Sequence, residues 1–121
     1  MTNDEVLRGV LDQWKAGIIA HEPQRVAEVF ARDAIFQGLR PYSVGRQGVA
    51  DYYDSQPRGM TVSYRILESR QPAPDVVVGY VSADFTFPDR PTMNLYIGAL
   101  VERGDDGWRI GHYQASRLDD G

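Results

Sequence analysis

The apolar residues of this chain change period once, and that change limits the fold more than any single motif does. Up to residue 56 they return every three or four positions, and from residue 60 onward they alternate. Val6, Leu7, Val10, Leu11, Trp14 and Ile18 share one face of a helix predicted from about residue 3 to 20. Thr2 and Glu5 form a capping-box pattern at its start. Pro23 suits the first turn of a second helix, because proline lacks the N–H that a first turn leaves unbonded, and Val26, Val29 and Phe30 mark that helix's inner face. A short apolar piece follows, Ala34-Ile35-Phe36, then a loop through Gly38 and Pro41. A third helix is predicted over 45–56, where Val49, Tyr52 and Tyr53 share a face before Pro57-Arg58-Gly59 ends it.

The alternating part predicts strands at about 60–69, 75–87, 93–103 and 108–117. Pro72-Ala73-Pro74, Pro88-Asp89-Arg90-Pro91 and Gly104-Asp105-Asp106-Gly107 separate them. Three helices followed by long strands joined as hairpins is an α+β order with an antiparallel sheet. The 121 residues, 42% hydrophobic and 25% charged, have the balance of a folded globular chain, and residues 1–121 are expected to form a single domain.

A net charge of −4 and a pI near 5.0, with basic residues scattered from Arg8 to Arg117, argue against a nucleic-acid partner. There is no cysteine, so a thiolate nucleophile or cysteine-ligated metal is excluded. His21 and His112 alone make no histidine cluster. The expectation is that no metal and no cofactor is needed; a glycine-rich dinucleotide fingerprint is also missing. No apolar run approaches the ~20 residues that span a bilayer, and the start Met1-Thr2-Asn3-Asp4-Glu5 is too polar for a signal peptide. A cytoplasmic protein without membrane contact is expected.

Four stretches carry a family resemblance: Val26 to Phe36, Gly45 to Tyr53, Gly107-Trp108-Arg109-Ile110, and Tyr113-Gln114-Ala115-Ser116. In this order they resemble the SnoaL-like group of the nuclear transport factor 2-like superfamily, and within it the small bacterial proteins of SgcJ/EcaC type. The resemblance covers nearly the whole chain. It implies a cone, in which a curved mixed sheet wraps the long N-terminal helix and leaves a pocket at the wide end. It also implies pairing into a homodimer through the outer sheet face. Relatives of this kind include ketosteroid isomerases, polyketide cyclases, dehydratases and non-catalytic binding modules, so the site has to be argued from residues.

Ketosteroid isomerases place a general-base Asp in the strand after the second helix. The same resemblance puts Gly38, or at best Gln37, there, and neither titrates. The oxyanion-binding Tyr and protonated Asp of that family correspond to Trp14 and Ala99. Isomerase chemistry of that type is therefore not expected.

His112 is the remaining acid/base candidate, since its reference pKa near 6.5 allows proton transfer in either direction. It alternates in step with Trp108, Ile110, Gln114 and Ser116. In that register, pointing inward, His112, Gln114 and Ser116 form a polar ladder on the pocket wall. The competing readings of His112 are a ligand contact without catalysis, and a structural histidine held by a carbonyl or lying at a dimer face. Asp84 falls on the face opposite to Val81, Ala83, Phe85 and Phe87, where a solvated or interfacial carboxylate is expected rather than a partner for His112.

Trp14, Tyr53 and Tyr64 are expected in the pocket, because each joins apolar area to a hydrogen-bonding tip. Gly45-Arg46, at the start of the third helix, reads either as an anion site or as a turn glycine followed by an ion-paired arginine. His21-Glu22 reads as a capping or solvated pair.

The expected function is the binding of a small apolar or aromatic molecule. The alternative is an isomerase, dehydratase or cyclase using His112 as proton shuttle. A third reading, an oligomerisation module, gains if the pocket is collapsed.

Overall fold

The computed structural model describes residues 1–117. Helix α1, Asn3–Ile19, begins where its sequence pattern predicts. The Thr2 hydroxyl accepts the Glu5 N–H at 3.1 Å while the Glu5 carboxylate accepts the Thr2 N–H at 2.9 Å, so two first-turn donors are satisfied reciprocally. It ends in a left-handed turn at His21, φ 53°. There the N–H groups of His21 and Glu22 close back on the carbonyls of Ile18 and Gly17 at 3.0 and 2.9 Å. His21 thus stops the helix.

Helix α2, Pro23–Ala27, is shorter than its apolar pattern predicts. Phe30 is not on its face but opens strand β1, Phe30–Gln37, which extends well beyond the three apolar residues first read there. The remaining elements are β2 (Ser43–Val44), α3 (Arg46–Asp54), β3 (Thr61–Ala73), β4 (Val76–Thr86), β5 (Met93–Gly104) and β6 (Gly107–Ser116). Strand β3 runs on through Pro72, with register shifts after Ile66 and Arg70. It is an edge strand, where a missing N–H leaves no ladder bond unmade.

The six strands lie in the order β2-β1-β6-β5-β4-β3. Strands β3 to β6 are antiparallel neighbours, as alternation joined by hairpins predicts. Strand β1, however, pairs with β6 in parallel, so the curved sheet is mixed rather than purely antiparallel. Parallel pairing needs a connection long enough to return the chain to the same end, and everything from β2 to β5 supplies it. Helix α1 packs its apolar face on the inner side of this sheet. Leu7, Leu11 and Trp14 are wholly buried beneath it, with Val77, Val81, Ile97 and Val101 facing them from the strands. Among the described residues no helix is long and apolar enough to cross a membrane.

The alternation expected for the last strand breaks at one residue. Ile110 is buried, and so are Tyr113 and Ala115, whereas Gln114 and Ser116 are exposed and His112 is half-buried. Val101 pairs with Ile110 but Leu100 pairs with His112, which leaves Gly111 as an extra residue in β6. Such a bulge exchanges the faces of every residue beyond it.

Candidate functional site

The register shift at Gly111 decides which side chains reach the interior. Beyond it Tyr113 and Ala115 turn inward, and both line a cavity at one end of the concave side of the sheet. The expected ladder of His112, Gln114 and Ser116 is overturned. Those residues lie on the outer face, where His112 stands between Ile35 of β1 and Leu100 of β5. None of the three lines the cavity. The reading of His112 as an acid/base in the pocket loses its geometry for that reason.

Helix α3 supplies Tyr52 and Tyr53 and the turn after it Gln56, while Phe85 of β4, Phe87 just beyond β4, and Met93 and Leu95 of β5 line the rest. Buried Met60 and half-exposed Leu39 complete the lining. The enclosed space is about 20 Å³, room for a single water molecule. Phe36 stacks on Tyr113 with ring centroids 4.9 Å apart and meets Tyr53 at 5.7 Å, so aromatic rings fill most of the volume that a larger pocket would occupy.

The polar content of the cavity end is a chain of neutral donors. The Trp14 indole N–H donates to the Tyr53 hydroxyl at 2.9 Å. The Tyr113 side chain lines the same cavity beside it. Burial pushes the phenols of Tyr53 and Tyr113 well above the usual tyrosine range, so both stay protonated. The Tyr53 oxygen accepts from Trp14 and its own O–H makes no bond among the described residues, so it remains available as a donor. Neither a carboxylate nor an imidazole lines this cavity.

Tyr53 lines the cavity as expected, whereas Trp14 does not line it and reaches it only through its bond to the Tyr53 hydroxyl. Tyr64 does not join them. It lies under α1 and donates to the Asp12 carboxylate at 2.5 Å. Burial, and then Asp12, raise its pKa.

Gly38 explains why no acid stands on this part of β1 and its following loop. A Cβ at Gly38 would collide with the ring of Tyr52, which crosses the glycine while its hydroxyl accepts the Leu39 N–H at 3.2 Å. A side chain at 38 and an aromatic at 52 exclude each other in this arrangement.

Asp84 lies outward as read and accepts from Asn94 at 2.7 Å. Arg46 is not the ion-paired arginine of the second reading: its Nε donates to the Phe30 carbonyl at 2.8 Å, with no carboxylate partner among the described residues.

The cavity residues missed by periodicity are Tyr113, Ala115, Gln56, Met60, Met93 and Leu39. For Tyr113 a signal was present, since a glycine inside an alternating strand commonly marks a bulge. Gln56 follows Tyr52 and Tyr53 at helical spacing and was also legible. Nothing local distinguishes the two methionines or Leu39.

No protein-family model matches this chain, and no curated protein matches it. Solved structures do. A domain of unknown function with a cystatin-like fold from Nostoc punctiforme superimposes with a TM-score of 0.84 at 17% identity, covering 98% of this chain and 78% of that one. A ketosteroid isomerase-like protein from Erwinia carotovora atroseptica gives 0.80 at 18%, covering 96% of each. An NTF-2 like protein of unknown function from Shewanella oneidensis gives 0.81 at 14%, covering 95% and 99%. At these identities the likeness establishes the architecture and leaves the chemistry to the residues.

Proposed function

Starting from a nuclear transport factor 2-like, cystatin-like fold, we propose that this chain binds a small, flat, weakly polar molecule at the cavity end of its sheet and carries out no ketosteroid isomerase chemistry on it. One observation carries the reading: the free O–H of Tyr53, backed by the Trp14 indole, belongs to a mostly apolar lining whose other polar side chains, Tyr52, Gln56 and Tyr113, are neutral and offer no group able to take up a proton near neutral pH. Such a wall orients a carbonyl or hydroxyl oxygen and leaves it unreacted.

The space of about 20 Å³ has to widen for any ligand. Met60 and Met93 line it, and methionine's unbranched, rotatable side chain yields more readily than the rings around it. Leu39, 40% exposed, moves at little cost.

Acetophenone, a flat ketone, is a suitable probe. Titration followed by NMR is expected to give saturable shifts at the Met60, Met93 and Ala115 methyls. Tyr53→Phe is expected to weaken binding about tenfold, the worth of one hydrogen bond. Absence of saturable shifts, or equal affinity in the variant, defeats the reading.

The outer face supports a homodimer. Val44, Ile35, His112, Leu100 and Val78 form a row across five strands, in register, and Tyr80 stacks on Tyr96 beside it at 5.8 Å. Ile35, Val44 and Tyr80 are 43%, 61% and 45% exposed, an apolar patch of the kind that a second copy covers. Sedimentation at tens of micromolar is expected to show a dimer that Leu100→Glu dissociates. A wild-type chain sedimenting as monomer refutes it.

A further inference from the structure

A second concavity, outside the cavity and far larger, lies where the β5–β6 hairpin approaches the start of α3. It measures about 390 Å³ and is walled by Arg32, Arg46, Arg103 and Arg109. On a chain of net charge −4 the four arginines of this cleft face three carboxylates, Glu102, Asp105 and Asp106, a small local excess of positive charge. Arg103 is occupied: its guanidinium pairs with Asp75 and lies over the Trp108 ring, 5.3 Å from the centroid. Among the described residues Arg32, Arg46 and Arg109 form no ion pair.

Two of these three are pinned by the backbone. Arg46 Nε donates to the Phe30 carbonyl at 2.8 Å, and Arg109 Nη1 donates to the Trp108 carbonyl at 3.0 Å. Each guanidinium keeps further N–H groups after that bond. Arg109 Nε is the one buried side-chain nitrogen or oxygen among the described residues that has no hydrogen-bond partner. A buried donor left unmade costs roughly 1–3 kcal/mol, so this guanidinium is held in place without being fully satisfied by the protein.

The acids of the same cleft, Glu102, Asp105 and Asp106, limit what can enter. Glu102 rests against Gly111, where a Cβ would stand 2.9 Å from its Oε1, and Asp105 and Asp106 sit at the exposed hairpin turn. None of them pairs with the three arginines, and they repel an extended polyanion such as nucleic acid.

We propose that this cleft is a binding site for a compact oxyanion, a phosphate or carboxylate head group, held by Arg32, Arg46 and Arg109. Two prepositioned guanidinium groups favour such an anion because the cost of ordering them has been met on folding. The site is separate from the cavity of Tyr53, and neither needs the other.

Inorganic phosphate and acetate, each titrated by calorimetry at low salt, are the probes. Saturable binding of at least one is expected, weakening about tenfold in Arg109→Gln and in Arg46→Gln. Phosphate binding stronger than acetate points to a phosphate head group, and the reverse order to a carboxylate. Where Arg46→Gln fails to fold because Phe30 loses its donor, Arg32→Gln replaces it, since that side chain is exposed and bonded to nothing else described. No binding of either anion up to about 20 mM, or binding unchanged in the Arg109 and Arg32 variants, overturns the assignment.

Discussion

Leu7 and Trp14 stand two turns apart on one face of α1, about 10 Å along its axis, yet they meet the sheet in different ways. Leu7 presses on bare backbone. A Cβ added at Gly79 would lie 2.8 Å from its Cδ1, and the neighbours are the aliphatic side chains of Val77, Val81 and Val101. Trp14 meets rings and hydroxyls instead: Phe85 edge-on at 5.9 Å, Tyr113 at 6.1 Å, and the Tyr53 oxygen as acceptor. Branched aliphatic chains interdigitate until no space is left, whereas rings set edge-to-face and tied at their polar tips cannot close up completely. The cavity lies at the Trp14 end for this reason, and so does the one fully buried side-chain hydrogen bond among the described residues.

Removing the indole strikes the aromatic end hardest. Trp14→Ala is expected to cost about 3–5 kcal/mol in urea unfolding, the range for deleting a large buried aromatic. A loss below about 2 kcal/mol would show that the rings around it collapse into the space, and that the end is softer than its hydrogen bonds imply.

Overfilling tests the other end. Gly79→Val is expected to destabilise by about 1–3 kcal/mol through collision with Leu7. In a double-mutant cycle Leu7→Ala should recover part of that loss, because the two residues share one volume. Additive losses would mean that Leu7 is not what the new side chain meets.

Tyr53→Phe separates packing from polarity, since it keeps the ring and orphans the Trp14 N–H. A cost of about 1–3 kcal/mol is expected, with little change in the cooperativity of unfolding. Thermal and chemical melts of the variant measure it.

The smallest effect is confined to alkaline pH. The folded pKa values of Tyr53 and Tyr113 are raised by burial, so the stability they contribute is complete below the unfolded value near 10 and is lost as pH rises past it toward the folded values. Each phenol makes the slope steeper there by up to about 1.4 kcal/mol per pH unit. Tyr64, raised mainly by burial under α1 and then by Asp12, adds to the same decline. Stability measured between pH 9 and 11 should fall less steeply in Tyr113→Phe than in the wild type. Parallel curves would show that the phenol does not resist ionisation.

How much of this was legible beforehand differs from strand to strand. In β4 and β5 the inward set, Val81, Ala83 and Phe85 with Leu95, Ile97 and Ala99, is buried as alternation requires, and so is Phe87 just beyond β4. The same rule applied to β6 put the correct residues inward at Ile110 and the wrong ones after it. Alternation is a property of an unbroken ladder, and the ladder's continuity depends on the partner strand. Gly111 becomes an extra residue only because Leu100 and Val101 pair on either side of it.

The sequence by itself determined the period of each segment, the start of α1 at Thr2 and Glu5, the inner face of that helix, and the α+β order. All of these follow from neighbours within a few positions, where side-chain spacing and first-turn donors act directly. Tertiary structure alone decided that β1 runs parallel beside β6, that Tyr113 rather than His112 enters the interior, and that Arg32, Arg46 and Arg109 share one cleft. Each of these joins residues far apart in the chain through strand register, and a single-residue shift in register reverses which face a side chain takes.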